Sequence, residues 1–314
     1  MRTRRNVSSS DPVLRPEGVH QSVLLHEAIE LLAIEPDHVV LDATVGGAGH
    51  TRVIAAALGS TGTIVGFDQD TYAIERAQKA LVGVAPHVRL AVANFRDART
   101  VLPSLGVPVL DRALFDLGWS AYQLADGRGF SFMTDEPLLM TYRTHPGADD
   151  ITAHEIVNTW EEEHLADIIF GWGEERFARR IAKTIVARRE HGPITTAREL
   201  AEIISHAVPG WYRHKKIHPA TKTFQALRIA VNDEFGAIRD GCAGVRSLMR
   251  PGGRIAVITF HSLEDRVVKN LFRSWQEEGV GAPLTKKPVT PAPSELKENP
   301  RARSAKLRVF VFSK

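Results

Sequence analysis

The stretch VVLDATVGGAGH, residues 39–50, decides the predicted fold. Its first four residues form a short apolar strand that ends in Asp42, and a glycine cluster and a helix from about His50 follow directly. A strand, a glycine-rich turn and a helix in this order are typical of the first unit of an open α/β sheet. Glycine lacks a Cβ and tolerates positive φ, so the turn allows the backbone to approach a ligand closely.

The alternation of strands and helices continues on both sides of this stretch. Beyond residues 39–42, the predicted strands are 63–68, 88–93, 113–116, 254–260 and 307–312. The predicted helices in the same parts of the chain are 23–32, 50–58 and 72–82. Strands that alternate with helices in this way favour a parallel, doubly wound sheet. Such sheets bind ligands in a crevice at the carboxyl ends of the strands.

The middle of the chain has a different pattern. Between the fourth and fifth predicted strands the periodicity is mostly helical, which predicts a helical domain inserted at residues 123–217. The sheet domain then consists of residues 20–122 and 218–314, after a flexible basic arm at residues 1–19. Residues 280–300 are rich in proline and lysine, so we predict a loop there.

The carboxyl edge of the predicted sheet carries groups that suit a nucleoside. Asp68 ends the second strand, 19 positions after Gly49, and this spacing suits a carboxylate that accepts hydrogen bonds from both ribose hydroxyls. The glycines follow G-G-A-G and not G-x-G-x-x-G, which disfavours a dinucleotide and favours a mononucleoside such as S-adenosylmethionine. Phe95 follows the third strand and would lie beside the adenine. A tight turn with a helix-capping aspartate is the alternative that these residues leave open.

Composition excludes several other classes of protein. The 314 residues are 43% hydrophobic and 25% charged, which is typical of a globular protein. The single cysteine, Cys242, excludes an internal disulfide and a thiolate zinc cluster, and we find no metal-ligand spacing. Apolar runs reach only about six residues where a membrane helix needs about 20, and the basic arm lacks the apolar segment of a signal peptide. We therefore predict a cytoplasmic protein without membrane contact.

Charge is segregated along the chain, although the net charge is only +3. Residues 176–228 contain twelve Lys or Arg and three acids, whereas residues 148–175 contain nine acids and no Lys or Arg. The tail at residues 286–314 is basic as well. Such segregation favours a cationic surface for a polyanion, most commonly a nucleic acid, and a solvated helix face is the alternative.

Six segments, the glycine turn among them, carry the resemblance to a known family. They are residues 42–50, DLGWSAYQL at 116–124, GRGFSF at 127–132, HPATKTFQALR at 218–228, the stretch 251–266 with FHSLEDR at its end, and NPRARS at 299–304. In sequence and order they resemble the MraW/RsmH family of bacterial methyltransferases, from about His20 to the end of the chain. The resemblance implies a Rossmann-like S-adenosylmethionine-dependent methyltransferase sheet with an inserted helical domain. It also implies methylation of N4 of a cytosine in small-subunit (16S) ribosomal RNA.

The resemblance implies a set of residues that contact the cofactor S-adenosylmethionine. These are Ala48, Gly49, His50, Asp68, Phe95, Asp116 and Gln123. Asp116 ends the fourth strand and is the candidate catalytic carboxylate, because an acceptor on one N4 hydrogen would favour the positive charge that develops on the amine. Binding the amino-acid end of the cofactor is its competing role. Trp119 or Tyr122 could stack the target base, or seal the contact between the domains.

The predicted partner is 16S ribosomal RNA in the small ribosomal subunit, with the target base unpaired or flipped out. Single-stranded RNA is bound through stacking and phosphate contacts. The candidate RNA contacts are Arg128, Lys215, Lys216, His218, Lys222, Arg228, Arg301 and Arg303. The sequence leaves the oligomeric state open between a monomer and a homodimer.

One segment departs from the family pattern. Members of the family usually have PLDMRMD after the GFSF segment, whereas residues 137–143 here are PLLMTYR. Carboxylates are missing at Leu139 and Arg143, and Thr141 replaces an arginine. We interpret the departure as a lineage-specific variant with the same reaction. The alternatives are an RNA-binding protein that retains a nucleoside pocket and a methyltransferase for another nucleic acid.

Overall fold

The computed structural model describes residues 21–118, 124, 127–147 and 150–313. Its sheet is formed by β1 (Val39–Asp42), β2 (Thr63–Asp68), β3 (His87–Val92), β4 (Leu110–Asp116), β5 (Met249–Thr259), β6 (Gly281–Pro283) and β7 (Lys306–Phe312). The order of the strands is β3-β2-β1-β4-β5-β7-β6. The predicted strands are therefore present, and the doubly wound, Rossmann-like fold class is confirmed.

Helices cover both faces of this sheet and form most of the middle of the chain. Those of the first half are α1 (Leu25–Leu32), α2 (Gly49–Ala57), α3 (Thr71–Ala80), α4 (Ala98–Ser104), α5 (Ala153–Thr159) and α6 (Glu162–Gly171). The later ones are α7 (Ala178–Arg189), α8 (Ala197–Ala207), α9 (Gly210–Arg213), α10 (Thr221–Asn232), α11 (Glu234–Arg246), α12 (Ser262–Glu277) and α13 (Pro293–Glu298). Among the described residues, none of these helices has the length and apolar character needed to span a membrane.

The register of the parallel strands places the acidic residues at the carboxyl edge. Asp42 of β1 lies opposite Gly66 of β2 and Leu114 of β4. Asp68 and Asp116 therefore project two residues further along the edge, on either side of β1. The strand order reverses at the β1/β4 boundary, so a crevice opens between the two aspartates.

The last two strands correct the prediction of an all-parallel sheet and of a loop at residues 280–300. Helix α12 returns the chain so that β6 runs in the direction of β5, and β7 fills the space between them by running antiparallel to both. Strand β6 and helix α13 lie within the predicted loop. With three and six residues, they are too short to produce a recognisable hydrophobic period.

The core of the sheet follows the two-residue period of buried strands. Val40 and Leu114 face one side, where they pack against α1 and α2. Leu41 and Phe115 face the other side, where they pack against α4, α11 and α12. Strands β1 and β4 are therefore buried on both faces, and their carboxyl ends are the parts that reach a ligand.

A separate apolar core holds the middle of the chain. It extends from Leu138 to Leu227 and includes buried side chains of α5 to α8. Ala220 and Phe224 of the α10 region belong to it as well. Since these residues follow the predicted boundary at residue 217, we propose that the helical unit extends through α10. The division into domains otherwise stays a prediction.

Candidate active site

A cavity of about 550 Å³ lies at the carboxyl ends of β1, β2 and β4. Of the seven predicted cofactor residues, Gly49, His50, Asp68, Phe95 and Asp116 line it. Ala48 is fully buried behind the wall, where it starts α2 with a left-handed φ of 60°. Gln123 lies outside the described residues, as do Trp119 and Tyr122.

The glycine turn is held by the two strand-end aspartates that flank it. Asp68 accepts a hydrogen bond from the Gly46 amide at 2.8 Å through one oxygen and from the Asp70 amide at 2.9 Å through the other. Asp42 accepts from the Thr51 hydroxyl at 2.7 Å and is fully buried. Asp42 therefore stabilises the start of α2, while Asp68 lines the cavity.

Gly49 and Phe95 both line the cavity, and each is held in place by close packing. A Cβ on Gly49 would collide with the Ser22 hydroxyl, so this position has no room for a side chain in the present packing. Phe95 packs edge to face on Phe115 with ring centres 5.4 Å apart. A Cβ on Gly241 of α11 would lie 2.6 Å from the Phe95 ring, so that glycine allows the helix to hold the ring in place.

Burial raises the pKa of each of the three strand-end aspartates. Burial raises the pKa of Asp68 to about 6, against the hydrogen bonds from Asp70 and Gly46. Burial also raises the pKa of Asp42 to about 6. The pKa of Asp116 is raised well above its usual range by burial and then by the charges of Asp42 and Glu264. A ligand that donates hydrogen bonds to these oxygens would favour the ionised form and reverse part of each shift.

One carboxylate oxygen of Asp116 has its hydrogen-bonding capacity unused among the described residues. Its Oδ1 is buried and accepts no hydrogen bond from any described residue, while its Oδ2 lies 3.4 Å from Nδ1 of His50. Nε2 of His50 lies 3.1 Å from the Val23 carbonyl, which only accepts, so Nε2 carries a proton. The Nδ1 to Oδ2 contact is then favourable when the pair holds one further proton. Asp116 lines the cavity, and its Oδ1 is a buried acceptor without a partner among the described residues.

The opposite wall of the cavity is a buried hydrogen-bond network. Arg228 of α10 forms a bidentate ion pair with Glu234 of α11, at 2.6 and 3.0 Å. Tyr142 donates its hydroxyl hydrogen to Glu234 at 2.8 Å, and its backbone amide donates to Asn232 at 2.9 Å. Burial raises the pKa of Tyr142 well above its usual range, so the phenol stays protonated. The segment 137–143, which departs from the family pattern, thus contributes Tyr142 to the cavity wall.

Glu264 completes this wall at the start of α12. Its carboxylate accepts from the Phe260 amide at 2.8 Å, and the His261 side chain caps the same helix. Although burial raises the pKa of Glu264, the His261 hydrogen bond and the His261 and Arg228 charges lower it below its usual range. Glu234, His261 and Glu264 are close enough to hold a cation. Arg228 already supplies the positive charge at this point, so the arrangement favours no metal ion.

The predicted RNA contacts fall into two groups in the structure. Exposed side chains are Lys215, Lys216, His218, Arg301 and Arg303, and Arg301 also lines the cavity. Lys222 is half-buried and donates to the Glu174 carbonyl at 2.7 Å. Arg128 is 6% exposed and pairs with Asp70 at 3.3 Å. Arg128 and Arg228 thus each have a carboxylate partner inside the protein, and their contact with RNA stays a prediction.

Sequence reasoning missed the residues of the far wall. Tyr142, Glu234 and Glu264 line the cavity, yet none was a predicted site residue. Glu264 belongs to the FHSLEDR motif, which was a signal that could have found it. Glu234 and Tyr142 carry no such signal, because their roles depend on a contact between positions 92 residues apart.

The fold and the site together define a class. A doubly wound sheet with an antiparallel β7, and a nucleoside-sized cavity flanked by Asp68 and Asp116 at the strand reversal, are the features of a Rossmann-like S-adenosylmethionine-dependent methyltransferase. The chain belongs to the MraW methylase family, whose model matches residues 17–313. The resemblance stated from the sequence motifs is therefore confirmed.

Relatives with curated names are similar over nearly the whole chain. A ribosomal RNA small subunit methyltransferase H of Deinococcus radiodurans is 49% identical, over 94% of this chain and 90% of that protein. The protein of the same name from Deinococcus deserti is 47% identical, over 92% of each chain. That from Paenibacillus sp. is 45% identical, over 92% of this chain and 98% of that protein.

Proposed function

We propose that this protein transfers a methyl group from S-adenosylmethionine to N4 of a cytosine in 16S ribosomal RNA of the small subunit. The observation that carries the proposal is Asp116, which lines the cavity and whose Oδ1 is a buried acceptor without a partner among the described residues. Membership of the MraW methylase family and the names of the relatives support the reaction and the substrate. A ribosomal RNA substrate also supports the predicted cytoplasmic location.

The cavity fits S-adenosylmethionine. Its volume of about 550 Å³ lies in the range of small-molecule sites. Asp68 would hold the ribose hydroxyls, Phe95 would lie against the adenine, and the turn at Gly46 to Gly49 leaves room for the nucleoside. When bound, the cofactor supplies a methyl group on a sulfonium, which is displaced in line by the acceptor amine.

In this proposal, Asp116 accepts a hydrogen bond from the N4 amine that receives the methyl group. Cytosine N4 is a weak nucleophile because its lone pair is delocalised into the ring. A hydrogen bond from one N4 hydrogen to Oδ1 of Asp116 favours the pyramidal amine and stabilises the positive charge that develops on nitrogen. The same carboxylate would accept the proton that the amine loses after methyl transfer.

The cavity wall around Tyr142 and Glu234 supports an intact site for the methyl acceptor, although residues 137–143 depart from the family pattern. Tyr142 stacks on Phe130, with ring centres 5.7 Å apart, and its hydroxyl is fixed by Glu234. Arg143 pairs with Asp150 at 3.1 Å instead of facing the cavity. The substituted residues Tyr142 and Arg143 thus both have polar partners. This favours a lineage-specific variant over a loss of activity.

The proposal is tested by transfer of label from S-adenosylmethionine to small ribosomal subunits that lack the modification. We expect incorporation into subunit RNA by the wild-type protein and none by Asp68→Ala. Purified 16S RNA, other RNA and DNA serve as competing acceptors, and incorporation into one of those instead would indicate another substrate. Cofactor binding without transfer to any nucleic acid would indicate a non-enzymatic RNA-binding protein and contradict the proposal.

A further inference from the structure

A second cluster of aromatic and basic side chains lies on the helical unit. The rings of Phe177, Trp211 and Tyr212 contact one another, with centres 5.0 to 6.1 Å apart. The guanidinium carbon of Arg176 lies 4.5 Å from the centre of the Trp211 ring, and the Lys215 ammonium lies 5.2 Å from it. None of these five side chains lines the cavity. We call these five residues the Trp211 cluster.

Hydrogen bonds to a buried residue fix one side of the Trp211 cluster, and the other side is exposed to solvent. The Tyr212 hydroxyl donates to the fully buried Glu175 at 2.5 Å, and Glu175 also accepts from the Phe177 amide at 2.9 Å. Trp211, in contrast, is 57% exposed. A large aromatic ring held from below and open to solvent is a preformed surface for stacking, with little entropy left to lose on binding.

The chain around Trp211 itself is cationic, although the acidic residues Glu174 and Glu175 precede Arg176. Residues 203–232 contain no acid, and residues 213–218, with the sequence RHKKIH, are all exposed. Within the described part of the chain, neither Arg176 nor Lys215 forms an ion pair with a carboxylate. Both cations therefore have charge available for an anion.

A chain of contacts links the cluster to the cavity. Phe235 follows Glu234 of the cavity wall, and its ring contacts His261 at 6.3 Å and Trp172 at 6.1 Å. From Trp172 the backbone leads within a few residues to Arg176 and Phe177. The Trp211 cluster is therefore connected to the cavity wall through packed aromatic side chains and a short stretch of backbone.

We propose that the Trp211 cluster is a second RNA site, in which an unpaired base stacks on Trp211 while Arg176 and Lys215 bind the flanking phosphates. The inference rests on the proposed RNA substrate and adds a contact away from the target base. Stacking on an exposed aromatic ring beside cations is how single-stranded nucleic acid is bound without sequence preference. A cationic ligand does not fit, because the positive charges of Arg176 and Lys215 beside the Trp211 ring would repel it.

The test compares RNA affinities of variants that each retain a methyl-transfer cavity. Trp211→Ala should weaken binding to single-stranded 16S RNA fragments about tenfold, since a base stacked on an aromatic ring has that order of effect. Trp211→Phe should retain most of the affinity. Phe170→Ala is the matched control, since Phe170 is also exposed on the helical unit and has no ring or cation stacked on it among the described residues. Lys215→Gln should reduce the slope of log affinity against log salt concentration by about one, the value for one lost phosphate contact.

Three readouts keep this test separate from that of the proposed function. Affinity for S-adenosylhomocysteine should be unchanged in Trp211→Ala, and so should the midpoint of thermal unfolding. Equal RNA affinity in Trp211→Ala and Phe170→Ala would overturn the second site while leaving the methyltransferase proposal intact. A change of oligomeric state in Trp211→Ala with unchanged RNA affinity would also overturn it, by showing that the ring packs against a second copy. Failure of the wild-type protein to bind any RNA would instead refute the proposed function.

Discussion

Replacement of Asp68 by asparagine should weaken cofactor binding while the fold is retained. Both carboxylate oxygens of Asp68 accept backbone hydrogen bonds, from Gly46 at 2.8 Å and from Asp70 at 2.9 Å, and both remain able to accept from ribose. Asparagine has one oxygen, so its amide nitrogen would face a backbone N–H. Hydrogen bonds to a charged group contribute about 1.5–3 kcal/mol, so Kd should rise about 10- to 150-fold.

The same residue sets the pH dependence of binding. Burial raises the pKa of Asp68 to about 6, and the ionised form is the one that accepts from both ribose hydroxyls. Affinity should therefore be greatest above pH 6 and fall as the pH drops below it, with a limit of about tenfold per pH unit. The asparagine variant should lose the part of this dependence that Asp68 contributes.

Titration calorimetry with S-adenosylhomocysteine between pH 5 and 8 measures both effects. Asp97→Asn is the control, since Asp97 is an exposed aspartate near the same edge of the sheet that does not line the cavity. A Kd for Asp68→Asn within about threefold of wild type, or an unchanged pH profile, would refute the assignment of Asp68 to the ribose.

Three further substitutions address the other walls of the cavity. Arg228→Ala should lower the free energy of unfolding by about 3–5 kcal/mol in urea titrations, because it leaves the buried Glu234 unpaired, and a loss below about 1 kcal/mol would contradict this. Tyr142→Phe should cost about 1–2 kcal/mol in the same assay, because Glu234 loses a donor, with cofactor affinity unchanged; equal stability would show that the bond contributes nothing. Asp116→Asn should lower kcat about 100-fold with little change in S-adenosylhomocysteine affinity. The opposite pattern would assign Asp116 to the amino-acid end of the cofactor.

The repeated strand and helix units made the sheet and one half of the cavity predictable. The distance from Gly49 to Asp68 is local in sequence, and parallel strands bring their carboxyl ends to the same edge. Asp68, Phe95 and Asp116 were therefore placed together correctly from their positions after successive strands.

The far wall of the cavity could not be predicted because it depends on contacts between distant segments. Tyr142 meets Glu234 only when the helical unit packs against α11. For the same reason, the charge of Arg128 and Arg228 suggested phosphates, whereas burial gives each a carboxylate partner. Sequence shows that a residue is basic, but the fold decides whether its charge faces solvent.

The most direct test of the central claim is mass spectrometry of nucleosides from small-subunit RNA after reaction with S-adenosylmethionine. Subunits from cells that lack the modification are incubated with the wild-type protein or with Asp116→Asn, and the RNA is digested to nucleosides. We expect N4-methylcytidine with the wild-type protein and greatly reduced N4-methylcytidine with Asp116→Asn. A methyl group on another nucleoside, or full methylation by Asp116→Asn, would contradict the assignment of Asp116 to the N4 amine.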